Sequence, residues 1–165
     1  MLGIRKINGL QIDLFVGDFQ EFLCDSWICL LDYPDQLPPL ECSSGVVTAN
    51  AFPFELRNSF GTYDTKNLSC RSGLFFTLDK TQLTENDSVF GDIGEICQSL
   101  KIGHLGLCVS HKTTNQALLG EILFAKLLIK AESLRLNRLT VILELATQYK
   151  IWQEALWKVI PEETE

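Results

Sequence analysis

At 165 residues the chain has the length of one domain, and a domain of this size removes roughly 70% of its unfolded surface on folding, enough for a core without staples. Hydrophobic residues make up 46% and charged residues 21%, with 10 Phe and 3 Trp, which excludes the polar composition of a disordered chain. Fourteen basic against 21 acidic residues give a formal net charge of −7. This weighs against a nucleic-acid partner, because phosphate backbones are bound by neutralising them with Lys and Arg.

Gln11 to Val16 alternates, with Ile12, Leu14 and Val16 on one face, and ends at Gly17-Asp18; a strand and then a turn are expected. Ser26 to Leu31 is a nearly continuous apolar run closed by Asp32-Tyr33-Pro34, which suits a strand buried on both faces of a parallel sheet. Pro34 to Arg71 carries four of the five prolines and many Ser, Thr and Asn residues, and reads as the least regular stretch. A strand over Gly73–Leu78 and a helix over Asp87–Leu100 follow.

The last third reads most clearly. Leu105–Val109 is a strand. Thr113-Thr114-Asn115-Gln116 matches a capping box with Thr113 as N-cap, opening a helix to about Leu136 that stops at Asn137. Leu139–Leu145 is a further strand. Thr147 then caps a closing helix on which Tyr149, Trp152, Leu156 and Val159 recur at helical spacing. Strand–helix–strand–helix is the βαβ pattern. The expected fold is a three-layer α/β/α domain with a mixed, largely parallel sheet, one domain over residues 1–161. An acidic tail, Glu162-Glu163-Thr164-Glu165, completes the chain.

None of the six cysteines (Cys24, Cys29, Cys42, Cys70, Cys97, Cys108) stands in a C-x-x-C pair. The opening Met1-Leu2-Gly3-Ile4-Arg5-Lys6 lacks the apolar run of a secretory signal, so reduced thiols and a cytoplasmic location are expected. The longest apolar-rich stretch, Ala117 to Ala131, is interrupted by Glu121, Lys126 and Lys130, and no membrane span or membrane partner is expected. His104 and His111 flank the Leu105–Val109 strand with Cys108 between them. A thiolate–imidazole pair is one reading of Cys108 and His111; a buried thiol and a loop imidazole are the plainer one. Asp25 and Asp32 bracket a strand and read as solvated strand ends. No metal site and no cofactor are expected.

Gly17-Asp18-Phe19, a short spacer and Cys24-Asp25-Ser26-Trp27-Ile28-Cys29-Leu30-Leu31-Asp32 together resemble the opening of macro domains. There, a strand ending Gly-Asp-Ile precedes Val-Asp-Ala-Ile-Val-Asn-Ala-Ala-Asn. Ser43-Ser44-Gly45-Val46-Val47 is similar to the family's Gly-Gly-Gly-Val-Ala phosphate loop. The closing strand–helix–strand–helix run resembles the family's C-terminal part.

The resemblance implies an ADP-ribose-like ligand beyond the carboxyl ends of the strands. Its implied contacts are Asp18 and Phe19, the loop Ser44, Gly45 and Val46, a second loop with Ser110, Lys112, Thr113 and Thr114, and Tyr149. Asp18 corresponds to a carboxylate that accepts a hydrogen bond from the adenine amino group, and is equally apt as a turn or capping residue. Tyr149 corresponds to an aromatic that stacks on the base, although its spacing with Trp152 also fits a core position.

Two departures bear on chemistry. Cys29 and Asp32 stand where active ADP-ribose hydrolases carry asparagines. The second loop, Ser110 to Asn115, has no Gly to let backbone N–H groups approach a diphosphate. The expected function is therefore a non-catalytic or weakly catalytic binding module for an ADP-ribose-like or other nucleotide-derived ligand. A structural or protein-interaction module that kept the fold and lost the pocket is the alternative, and an ADP-ribose-processing hydrolase comes third.

Overall fold

The computed structural model describes residues 4–17, 22–31, 47–49, 61–65, 74–85 and 88–162. Strands β1 (Arg5–Ile7), β2 (Leu10–Val16), β3 (Ser26–Leu31), β4 (Val47–Ala49), β5 (Gly61–Thr65) and β6 (Leu74–Asp79) come first. Helices α1 (Lys80–Glu85) and α2 (Val89–Leu100) follow, then β7 (His104–Val109), α3 (Gln116–Leu134), β8 (Arg138–Leu143) and α4 (Ala146–Val159).

The strands form one sheet in the order β1-β2-β8-β7-β3-β6-β5-β4. Its five central strands are parallel, while β1, β5 and β4 join antiparallel. The sheet is thus mixed and largely parallel. The expected strands over 11–16, 26–31, 73–78, 105–109 and 139–145 are all present within a residue or two. β4 and β5 lie inside the stretch read as irregular, and β1 and α1 have no counterpart in the sequence reading. Three-residue strands such as Arg5–Ile7 are too short to show alternation.

The four helices pack on one face of the sheet. Leu83 of α1, Phe90, Ile93 and Cys97 of α2, Leu123, Phe124 and Leu127 of α3, and Trp152 and Leu156 of α4 share a buried cluster. Ile12, Ile28, Leu107, Val141 and Leu143 from the strands complete it. Among the described residues no helix covers the other face. This second face carries Trp27, Cys24, Cys29, Cys108 and Ile142, with Phe15 and Phe22 packed against them. Gly106 makes that packing possible. A Cβ there would lie 2.7 Å from Ile142 Cδ1 and 2.8 Å from Trp27 Cδ1, closer than van der Waals contact permits.

The same face holds a polar row across β2, β8 and β7. Buried Asp13 accepts hydrogen bonds from Thr140 Oγ1 (2.5 Å), Arg138 Nε (2.8 Å) and Gln11 Nε2 (3.1 Å). Thr140 gives its single hydroxyl proton to Asp13, so His104 Nε2, 2.8 Å from Thr140 Oγ1, is the donor in that contact. Asp25 caps the beginning of the same region by accepting the backbone N–H groups of Gly103 and His104 at 2.8 and 2.9 Å. It is an anchored strand end, more tightly held than the solvated end expected. Asp32 lies outside the described residues.

Three helix termini differ from the sequence reading. The N-cap of α3 is Asn115, in the left-handed region at φ 56°, not Thr113. The helix ends at Arg135, also left-handed at φ 55°, before Asn137. The N-cap of α4 is Leu145, not Thr147. In place of an N-cap side chain, Gln148 reaches back: its Oε1 accepts the N–H groups of Glu144 and Leu145, both at 3.0 Å.

Candidate functional site

A cleft opens at the carboxyl ends of β2, β8, β7 and β3, where open parallel sheets bind their ligands. Gly17, Cys29, Cys108, Val109, Ser110, Ile142, Leu143 and Glu144 line it, around a cavity of about 20 Å³ that opens to solvent. Its floor is apolar, and Ser110 and Glu144 supply side-chain polarity at the rim. Gly17 stands at φ +153° with its N–H donating to Leu143 O at 2.9 Å. A Cβ there would meet the Phe15 ring at 3.0 Å, and an L side chain is strained at this φ, so Gly suits the end of β2 beside the cleft.

The loop between β7 and α3 is held rigidly beside the cleft. The Ser110 carbonyl accepts the N–H of Thr113 at 3.0 Å, and the Lys112 N–H donates to Ser110 Oγ at 3.2 Å. Gln116 Nε2 donates to the carbonyls of Ser110 (3.3 Å), His111 (3.4 Å) and Thr113 (3.0 Å). Gln116 Oε1 accepts from Gln148 Nε2 (2.9 Å) and Trp152 Nε1 (3.0 Å), while Gln148 Nε2 also reaches Val109 O (3.2 Å). Two glutamines and a tryptophan thus tie the loops after β7 and β8 to one another. Above them, His111 Nδ1 lies 2.5 Å from Glu144 Oε2, a second bridge between the two loops on the solvent side.

Of the residues expected in the site, Ser110 lines the cleft. Lys112 and Thr114 are exposed on the adjoining loop, and Thr114 Oγ1 accepts from Lys80 Nζ at 2.6 Å. Thr113 is buried. Tyr149 is half-buried and packs against the helix-side core. Asp18, Phe19, Ser44, Gly45 and Val46 lie outside the described residues. Gly17, Glu144 and the Gln116–Gln148 pair are absent from the sequence expectation; Glu144 fell inside the expected strand Leu139–Leu145, whereas β8 ends at Leu143 and leaves it at the strand's carboxyl end. Cys108 is buried in the second-face cluster and His111 is turned to Glu144, so the two do not form a thiolate–imidazole pair. Among the described residues no group of three or more His, Cys, Asp or Glu side chains could hold a metal ion. Among them, too, no helix is long and apolar enough to cross a membrane.

The sheet order, the parallel centre and the cleft at its carboxyl edge define a macro-domain fold. The chain is similar in structure to the macrodomain of Oceanobacillus iheyensis solved with MES bound. That match has a TM-score of 0.65 at 12% identity, over 94% of this chain and 95% of that one. The same macrodomain solved with ADP matches at a TM-score of 0.60 and 10% identity, over 94% of each chain. A Trypanosoma brucei macrodomain in complex with ADP matches at a TM-score of 0.53 and 11% identity, over 88% of this chain and 68% of that one. No protein-family model matches the sequence, and no curated protein matches it.

Proposed function

We propose that this domain binds an ADP-ribose-like or other nucleotide-derived ligand in the cleft at the carboxyl ends of β2, β8, β7 and β3, without efficient hydrolysis. The observation that carries this reading is the cleft itself. It lies where parallel α/β sheets take ligands, and its flanking loops are braced by buried hydrogen bonds rather than left to collapse. The fold's solved neighbours include macrodomains holding ADP, which supports a nucleotide diphosphate as the first ligand to try. Asp18 follows Gly17 at the rim in sequence and is proposed to accept a hydrogen bond from the base. Ser110, Lys112 and Thr114 are proposed to face the phosphates, with Phe19, Ser44, Gly45, Val46, Thr113 and Tyr149 completing the ligand's surroundings.

The test is thermal denaturation of the full chain with ADP-ribose, ADP and nicotinamide nucleotides. A ligand that binds only the native state raises stability by RT ln(1 + [L]/Kd), so even millimolar affinity shifts the melting temperature at high ligand concentration. Asp18→Ala should then weaken binding about 10- to 150-fold, the worth of a hydrogen bond to a charged group. Unchanged affinity with lowered stability would make Asp18 a turn residue only.

The second reading, a protein-interaction module, has its own observation. On α3, Leu118 is 58% and Ile129 80% exposed, so the helix is apolar on its outer side as well as its inner one. Helices of that kind are ordinarily covered. Failure of every nucleotide to stabilise the chain would favour it.

A further inference from the structure

β3 and β7 are adjacent and parallel, and their register sets Cys29 directly opposite Cys108. In-register neighbours on parallel strands point to the same side of the sheet, with backbones about 4.8 Å apart. Disulfides span Cα separations of about 4.4–6.8 Å, so the backbone already holds the two residues at bridging distance. Neither is in a disulfide, they belong to one buried cluster, and both line the cleft. Cys108 is 8% and Cys29 1% exposed, which places Cys108 nearer the opening.

We propose that Cys29 and Cys108 form a redox-active dithiol in the floor of the cleft, oxidised to a disulfide by low-molecular-weight disulfides and able to chelate thiophilic reagents such as trivalent arsenicals. The Cys108 thiolate attacks one sulfur of the small disulfide and expels one small thiolate. The Cys29 thiolate then attacks the Cys108 sulfur of the mixed disulfide and expels the second. Two protein thiols are oxidised to one disulfide, the small disulfide is reduced to two thiols, and the two protons pass to the departing thiolates. An aryl arsenoxide reacts without redox change: two arsenic–sulfur bonds form and one water leaves. The proposal does not depend on which ligand the cleft takes.

Cys97, as buried as Cys29, differs in lying on the other face of the sheet, away from the cleft. It lies in the helix-side core, where burial, assisted by the Asp25 charge, pushes its thiol up to about 12. It should stay protonated and unreactive.

The experiment treats the reduced, folded full chain with oxidised glutathione, counts remaining thiols, and maps the product by non-reducing peptide mass spectrometry. The thiols of Cys29 and Cys108 should disappear together, with their peptides linked to each other. Phenylarsine oxide should bind one to one and protect the same two cysteines from alkylation. Cys29→Ser should stop at a glutathione adduct on Cys108 and lose stable arsenical binding. Because the linkage is read on the natural chain, a variant that fails to fold leaves the test intact. Linkage of any other pair, or retention of all six thiols in the native protein, overturns the proposal.

Discussion

Gln148 makes four hydrogen bonds from a side chain only 3% exposed, joining Glu144, Leu145, Val109 and Gln116. Glu144 N–H, Leu145 N–H and the Val109 carbonyl lose this partner when the amide is removed, while Gln116 Oε1 keeps Trp152 Nε1, and a buried unsatisfied group costs about 1–3 kcal/mol. Gln148→Ala should lower the unfolding free energy by at least about 1–3 kcal/mol, read as a lower urea midpoint at an unchanged denaturant slope. A change under about 0.5 kcal/mol would mean that water replaces the amide at no cost. His104 contributes differently, through pH. Burial lowers its pKa first and Arg138 second, against the opposing charges of Asp13 and Asp25. The unfolded chain therefore takes up the proton near pH 6.5 while the folded chain still resists it. Below about pH 6.5 the unfolded state binds more protons, so this part of the stability is present above that pH and is lost as pH falls towards the folded value. Stability measured between pH 8 and 5 should show that decline, and His104→Gln should flatten it.

α2 meets the end of α3 so closely that a Cβ on Gly94 would sit 1.9 Å from the Ser133 carbonyl oxygen. Backbone cannot yield as a flexible side chain does, and overpacking typically costs 1–3 kcal/mol, occasionally more. Gly94→Ala should therefore lower the melting temperature clearly, although Ala is the better helix former; a neutral or stabilised variant would show that the two helices separate freely. The long elements were legible beforehand because their signals are repetitive: alternation over Gln11–Val16, the apolar runs of Ser26–Leu31 and Leu139–Leu145, and helical spacing in Tyr149, Trp152 and Leu156. The helix starts were not. Thr113-Thr114-Asn115-Gln116 fits a capping box by residue type, yet Asn115 takes the left-handed turn and Gln116 is spent on loop carbonyls. Nothing local announces that Gln116 and Gln148, 32 residues apart, share a hydrogen bond. The site was legible as a place, through the resemblance of Gly17-Asp18 and the βαβ run. Its lining was less so, because Cys29, Cys108 and Glu144 meet there only through strand register.

For the molecule as a whole, the chemistry should be weak. Cys29 lies in the floor of the cleft rather than an amide, and the Glu144 carboxylate at the rim is held by His111. Incubation with a mono-ADP-ribosylated protein should release no ADP-ribose above background; turnover at the rates typical of enzymes would move the domain into the hydrolase class. The sheet also dictates how the chain must be made. β2 pairs with β8 from Gln11 to Val16, Leu14 opposite Val141, so an early strand waits for the last one. At about 5–20 residues per second of synthesis, that wait lasts roughly 6 to 25 s. Throughout it β2 has only the three-residue β1 beside it, and its open edge is a template for pairing with any other extended chain. A nascent chain halted before Arg138 should accordingly stay bound by chaperones and aggregate when they are withdrawn, whereas release after Leu143 should let the edge close.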